Sequence, residues 1–240
     1  MKKKLIYWLS SIFSKRELIP IPVKTSSKNI ANRMMIIGLM IFMSAFAKAQ
    51  SAQALLKEVD AKVKSYDNIT IDFKYALSNE AEGVNQETKG NVILAGNKYR
   101  LELMGTTQLF DGSSIYTIVP EDEEVTISSV SDQDENAITP SKMLSFFNEG
   151  YTQKMDITQK VGGRQIQFVK LTPIDSNSDV KESLLGIDAQ TKHIHKLIIT
   201  QKNGTKIMIT VNSFKTNLPL AKNVFTFDKT KYTDYYINKL

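Results

Sequence analysis

The chain predicts an α+β fold, with one helix preceding a long antiparallel meander. Three observations carry this: an apolar period of a helix confined to residues 51–66, an alternating apolar period that takes over after Asp67-Asn68, and turn dipeptides at short intervals from there almost to Leu240.

Ahead of these elements stands the apolar run Met34 to Met43, preceded by Lys24, Lys28 and Arg33 and followed by Ala47 and Ala49. Small residues at alternate positions after such a run read as a secretory signal cleaved after Ala49, which divides the chain into a leader, 1–49, and one domain, 50–240. Ser44 and Lys48 interrupt the run before it reaches the roughly 20 apolar residues of a spanning helix. The chain has no cysteine, which excludes a lipid-modified cysteine at the cleavage point, disulfides, thiolate metal sites and a cysteine nucleophile. The leader holds nine of the 31 basic and one of the 25 acidic residues, so the remaining domain carries 22 and 24, a formal charge of −2. The basic character belongs to the leader, and nucleic-acid binding loses its main support.

The helix, Ser51 to Tyr66, places Leu55, Val59 and Val63 on one stripe that Leu56 and Tyr66 widen. Ile69, Ile71, Phe73, Tyr75 and Leu77 then alternate with more polar residues, as a strand with one buried face does. Asn91 to Leu94 and Tyr99 to Met104 flank Gly96-Asn97, and Thr107 to Phe110 and Ser114 to Val119 flank Asp111-Gly112. Val125 to Ser129, Tyr151 to Lys160, Arg164 to Leu171 and Ser183 to Asp188 continue the strands, with Gly162-Gly163 as a turn. Ile194 to Gln201 and Lys206 to Val211 form a hairpin in which Asn203-Gly204 predicts a type I′ turn. Phe225 and Phe227 read as a last strand.

One segment breaks the pattern. Thr139-Pro140 offers an N-cap and a proline at the first helical position, and Gly150 a stop, so 139–150 predicts a short helix. Met143, Leu144, Phe146 and Phe147 give it more apolar surface than one side can hold, as in a helix lying over a hydrophobic floor.

No catalytic constellation emerges. His193 and His195 occupy alternate strand positions, but zinc needs further ligands and none stands at short spacing, so both read as exposed strand residues. The Glu121 to Glu124 run and Asp132, Asp134 and Glu135 read as solvated loop charge rather than a calcium site. There is no nucleophile elbow and no phosphate-cradling glycine loop. Neither a metal nor a cofactor is expected.

The chain resembles the LolA family of periplasmic outer-membrane lipoprotein carriers. The resemblance runs through Leu55-Leu56, Val63, Ser65-Tyr66, Ile71-Asp72-Phe73, Gly90-Asn91-Val92, Tyr99-Arg100-Leu101, Asp111-Gly112, Ile115-Tyr116, Pro140 to Phe147, Leu171-Thr172-Pro173 and Phe225-Thr226-Phe227. It implies a strongly curved antiparallel sheet, an unclosed β-barrel, covered by short helices acting as a lid. It also implies a non-enzymatic, monomeric carrier of acylated lipoproteins in the periplasm of a Gram-negative bacterium. Such a carrier is loaded by an inner-membrane ABC transporter and unloaded at an outer-membrane acceptor. The acyl-chain cavity would be lined by Phe73, Tyr75, Val92, Leu94, Tyr99, Leu101, Leu103, Tyr116 and Ile118, with Met143, Leu144, Phe146 and Phe147 on the lid. The sequence departs from proteobacterial members in lacking the Arg-Pro pair that latches the lid; Arg100 stands nearby. The alternative is a lipid-binding envelope-stress regulator of RseB type; those usually add a second C-terminal domain, whereas here the chain ends soon after Phe227.

Overall fold

A computed structural model describes residues 52–129, 139, 140 and 142–240, all within one compact unit, Ala45–Leu240. The signal and its cleavage point, the acidic stretch 131–138 and Ser141 lie outside the described residues.

Residues 52–64 form the first helix, α1. Its stripe is buried through Ala52, Leu56 and Val59, while Leu55 and Val63 flank the same core. Among the described residues twelve strands follow in one sheet. They are β1 (Ile69–Asn79), β2 (Val84–Ala95), β3 (Lys98–Leu103), β4 (Thr106–Phe110), β5 (Ser114–Val119), β6 (Glu124–Ser129), β7 (Tyr151–Val161), β8 (Arg164–Pro173), β9 (Val180–Asp188), β10 (Ile194–Gln201), β11 (Lys206–Thr216) and β12 (Tyr236–Lys239). The spatial order is β12-β6-β5-β4-β3-β2-β1-β11-β10-β9-β8-β7. Two meanders, β1–β6 and β7–β11, are therefore joined along β1 and β11, and the β12 and β7 edges do not meet. The predicted unclosed barrel is present.

Curvature has local causes. Asn212 is an extra residue where β11 passes Asp72 and Phe73, and β7 carries a bulge between Met155 and Thr158; extra residues bend a strand and raise its twist. Gly90 lies directly opposite Phe73, whose ring covers it, and Phe168 covers Gly186 in the same way. Aromatic rings over glycines are a device of curved sheets.

Four expectations need correction. The segment 139–150 is two 3₁₀ turns, Lys142–Leu144 and Phe146–Asn148, rather than one helix. Its start is as predicted: the Lys142 N–H donates to Thr139 Oγ1 (3.3 Å), and Gly150 adopts φ +78°. Phe225 and Phe227 form no strand; the last strand is β12, which pairs parallel to β6. Asn203 does not adopt positive φ, so the β10–β11 turn is not type I′. The Thr205 carbonyl accepts from the Gln201 N–H, which accommodates a longer loop with Gly204 at φ +90°. Finally, the histidines are not exposed. His193 precedes β10 and is half-buried, stacked on Phe214 (ring centroids 4.1 Å) and hydrogen-bonded to Tyr66 Oη (2.8 Å). His195 is buried beside Arg164.

Candidate functional site: an apolar cavity beneath a lid

Strand pairing gathers the apolar rows onto one face. Ile71 stands opposite Val92, and Val92 opposite Leu101; on the other side Phe73 and Tyr75 stand opposite Val211 and Ile209. Leu197 and Ile199 continue the row from Ile209 and Ile207, and Leu185 continues it from Leu197. Packing fills the α1 end of this face, while farther along it a cavity of about 280 Å³ remains. Pro140, Met143 and Leu144 contribute to its wall.

Eight of the residues expected to form the cavity line it: Phe73, Tyr75, Val92, Leu94, Leu101, Leu103, Met143 and Leu144. Tyr99 faces the same side but is packed solid, its ring 5.7 Å from Phe110 and its hydroxyl donated to Gln108 Oε1 (2.8 Å). Burial pushes that phenol up to about 12. Phe147 is wholly buried in the core and Phe146 turns edge-on to Tyr151 (5.6 Å), so both hold the lid without facing the cavity.

Tyr116 and Ile118 correct the sequence reading. Tyr116 pairs with Leu109, Leu109 with Arg100 and Arg100 with Ile93, which puts all four on the outward face. There residues 218–235 cross the sheet, and Phe227 stacks between Tyr116 (4.6 Å) and Tyr232 (5.4 Å). β5 carries a buried isoleucine on each face, Ile115 on one and Ile118 on the other, which removes the alternation that fixes register.

The cavity wall that the expected set lacked comes from Ile71 and the second meander: Leu185, Ile194, Leu197, Ile199, Ile207, Ile209 and Val211. Their signal was the alternation in the β10–β11 hairpin, whose apolar parity matches that of β1.

Among the described residues no lining side chain is charged and only Tyr75 carries a hydroxyl. A polar ligand would leave its hydrogen-bonding groups unpaired, at roughly 1–3 kcal/mol each; a hydrocarbon chain loses nothing and gains dispersion and burial. Among the described residues no group of three His, Asp or Glu side chains could hold a metal.

The lid is fastened at two sides. Gln153 of β7 donates to the Phe147 carbonyl (2.7 Å), and Asn148 donates to Asp60 of α1 (3.0 Å). The Lys64 ammonium bonded to Asp60 (2.7 Å), with Asn148 adding a second donor, holds that carboxyl below the usual carboxylate range. Arg100 takes no part: it lies on the outward face and pairs with Glu102 (2.9 Å). Burial of Phe147 and Leu144 contributes roughly 3–6 kcal/mol to closure, against about 1 kcal/mol for an exposed hydrogen bond. Apolar contact therefore dominates the closed state, and the hydrogen bonds set its position.

α1 is fastened in turn. Glu58 pairs with Lys192 (3.0 Å) and Tyr66 bonds His193. Burial, reinforced by Lys62, holds the His193 imidazole below its ordinary value, and burial with Arg164 and Lys196 does the same for His195. For Asp188 burial opposes ionisation, but the N–H groups of Thr191 and Gln190 and the charge of Arg164 outweigh it, so its carboxyl also stays below the ordinary range.

A curved half-barrel that encloses an apolar cavity under a lid defines a class of proteins suited to holding hydrophobic ligands. Residues 64–228 match the family described as outer membrane lipoprotein carrier protein LolA. The chain belongs to the LolA family. No curated protein matches the sequence. Among solved structures, an uncharacterized conserved protein from Thermus thermophilus shares the fold, with TM-score 0.53 and 10% identity over 79% of this chain and 99% of that one. The lipoprotein LppX of Mycobacterium tuberculosis aligns with TM-score 0.48 and 13% identity over 72% of this chain and 99% of that one. MucB of Pseudomonas aeruginosa, in its complex with MucA, aligns with TM-score 0.38 and 15% identity over 74% of this chain and 61% of that one.

Proposed function

We propose that this protein is a non-enzymatic periplasmic carrier that shields the acyl chains of lipoproteins between the inner and outer membranes. It would receive cargo from an inner-membrane ABC transporter and deliver it to an outer-membrane acceptor, working as a monomer. The observation that supports this reading is the uncharged cavity of about 280 Å³ closed by a two-turn lid. Each methylene exposed to water costs about 0.8 kcal/mol, so an acylated anchor does not cross an aqueous compartment unaided. The closed cavity is just under the roughly 300–1,000 Å³ of common ligand pockets. A multiply acylated anchor needs more room, so loading requires the lid to move outward.

The test is native mass spectrometry of the protein recovered from the periplasm of cells expressing the full chain. Co-recovery of acylated proteins is the expected result. Free lipid without acylated protein would redirect the reading to the lipid-binding regulator, and an empty protein in cells rich in lipoproteins would overturn both. Met143→Asp, which puts a charge in the cavity wall while leaving the buried Phe147 in place, should abolish co-recovery.

A further inference from the structure

Outside the half-barrel, a separate cleft of about 440 Å³ lies between the outward face of the sheet and the segment 218–235 that crosses it. It shares no lining residue with the apolar cavity. Its floor is a row in which Ile93 of β2 pairs with Arg100 of β3, and Arg100 with Leu109 of β4; Ile118 of β5 lies on the same face. Leu109 and Ile118 are buried. Val224, Phe227 and Tyr232 of the crossing segment add apolar wall, and the exposed Lys231 stands at the rim.

Arg100 is thus a cation set in an apolar row beneath a covering segment, and its fork is only partly matched. Its Nε and Nη2 both donate to Glu102 Oε1 (3.0 and 2.9 Å), and Nη1 has no hydrogen-bond partner among the described residues. The one carboxylate that the crossing segment brings to the cleft, Asp228, is spent on its own turn. There its Oδ1 accepts from the Thr230 N–H (3.1 Å) and from Thr230 Oγ1 (2.6 Å). The same turn fixes the backbone at Lys231, whose N–H donates to the Asp228 carbonyl (3.1 Å). Two cations and one engaged carboxylate leave the cleft with a formal surplus of positive charge above an apolar floor.

We propose that this cleft is a second binding site, for a compact amphipathic carboxylate. The carboxylate meets Arg100 and Lys231, and a ring-sized apolar body rests on Ile93, Leu109 and Ile118 against Phe227 and Tyr232. Guanidinium and ammonium donors favour an anionic head over a neutral one through charge-assisted hydrogen bonds, and aromatic walls favour a ring. The volume lies within the roughly 300–1,000 Å³ of small-molecule pockets. The site lies on the opposite face of the sheet from the apolar cavity, and the inference stands independently of the carrier reading.

The probe is 2-naphthoate, with the neutral 2-naphthamide as its control, titrated into the purified protein and followed by proton–nitrogen correlation spectra. The expected result is saturable shifts at the amides of Ile93, Arg100, Leu109 and residues 223–232, with the acid bound at least about tenfold more tightly than the amide. In Arg100→Gln/Lys231→Gln, affinity for the acid should fall at least about tenfold. Binding of cis-parinaric acid, a fluorescent long-chain fatty acid, should be unchanged in that variant, since neither residue lines the cavity. Absence of saturable naphthoate binding, equal affinity for acid and amide, or shifts centred on cavity residues such as Leu197 and Ile209 would overturn the proposal. The comparison of acid with amide uses the native protein alone, so it holds whatever the variant does to folding.

Discussion

At Gly90 a methyl group has no room. A Cβ there would lie 2.7 Å from Phe73 Cε2 and 3.0 Å from the Glu102 carbonyl oxygen, and the ring is buried. Gly90→Ala should destabilise the protein by about 1–3 kcal/mol, as overpacking does; a lowered midpoint of urea unfolding, partly recovered in Gly90→Ala/Phe73→Leu, is the measurement that checks it. Titration acts at the same scale. His193 and His195 are held below 6.5, and Asp60 and Asp188 below 3.8, in the folded state. In each case the unfolded chain binds protons more readily than the native one, so stability rises with pH through these ranges. The histidine contribution is fully present above 6.5 and is lost as pH falls through the depressed folded values; the carboxylates follow below 3.8. Urea midpoints measured from neutral pH downward should fall in two stages. Replacing His193 by Gln should diminish the first.

Among the elements, the segment 218–235 acts as an outer strap. It adds aromatic cover to the outward face of β5 and delivers β12 to the β6 edge, with Phe227 stacked between Tyr116 and Tyr232. Phe227→Ala removes both stacks, each worth about 0.5–1.5 kcal/mol beyond area burial. The amides of Tyr236–Lys239 should then exchange hydrogen first, while those of β1 and β2 keep their protection. Equal acceleration throughout would mean that the strap and sheet unfold as one unit. The lid is the other element with a separable role. Its N-cap was legible in Thr139-Pro140, but its division into two turns was not. Gln153 reaches the turns from a strand close in sequence, whereas Asp60, which accepts from Asn148 of the second turn, comes from α1. Contacts from two directions replace the helical ladder that the local sequence favours.

In the whole molecule, two meanders share one concave face, and the cavity exists because β1 meets β11 across more than a hundred residues of chain. The two meanders contribute equally to its wall, seven lining residues each, with Pro140, Met143 and Leu144 added by the lid, so the carrier reading makes a prediction at this scale. Ile209→Asp, on the second meander, should weaken cis-parinaric acid binding as severely as Met143→Asp on the lid, by more than about tenfold, since a buried unpaired carboxylate costs several kcal/mol. Titration of the probe fluorescence reads it directly. Unaltered affinity in Ile209→Asp would remove the second meander from the binding site.

Local chemistry made much of the fold legible from residues alone. The helical period of α1, the alternation of β1 and the turns at Gly96-Asn97, Asp111-Gly112 and Gly162-Gly163 act between near neighbours, and they specify elements wherever one face is apolar. Eight cavity residues followed from that alternation and from the family resemblance together. The same logic failed where tertiary cover reached both faces. Tyr116 and Ile118 face outward because a strap from residues 218–235 buries that side, and no local pattern records a partner so distant in sequence. It failed again at His193 and His195, which look exposed as strand residues until Tyr66 and Phe214 are packed against the first and Arg164 against the second. Periodicity fixes which residues share a face, but long-range pairing and covering segments choose what that face meets.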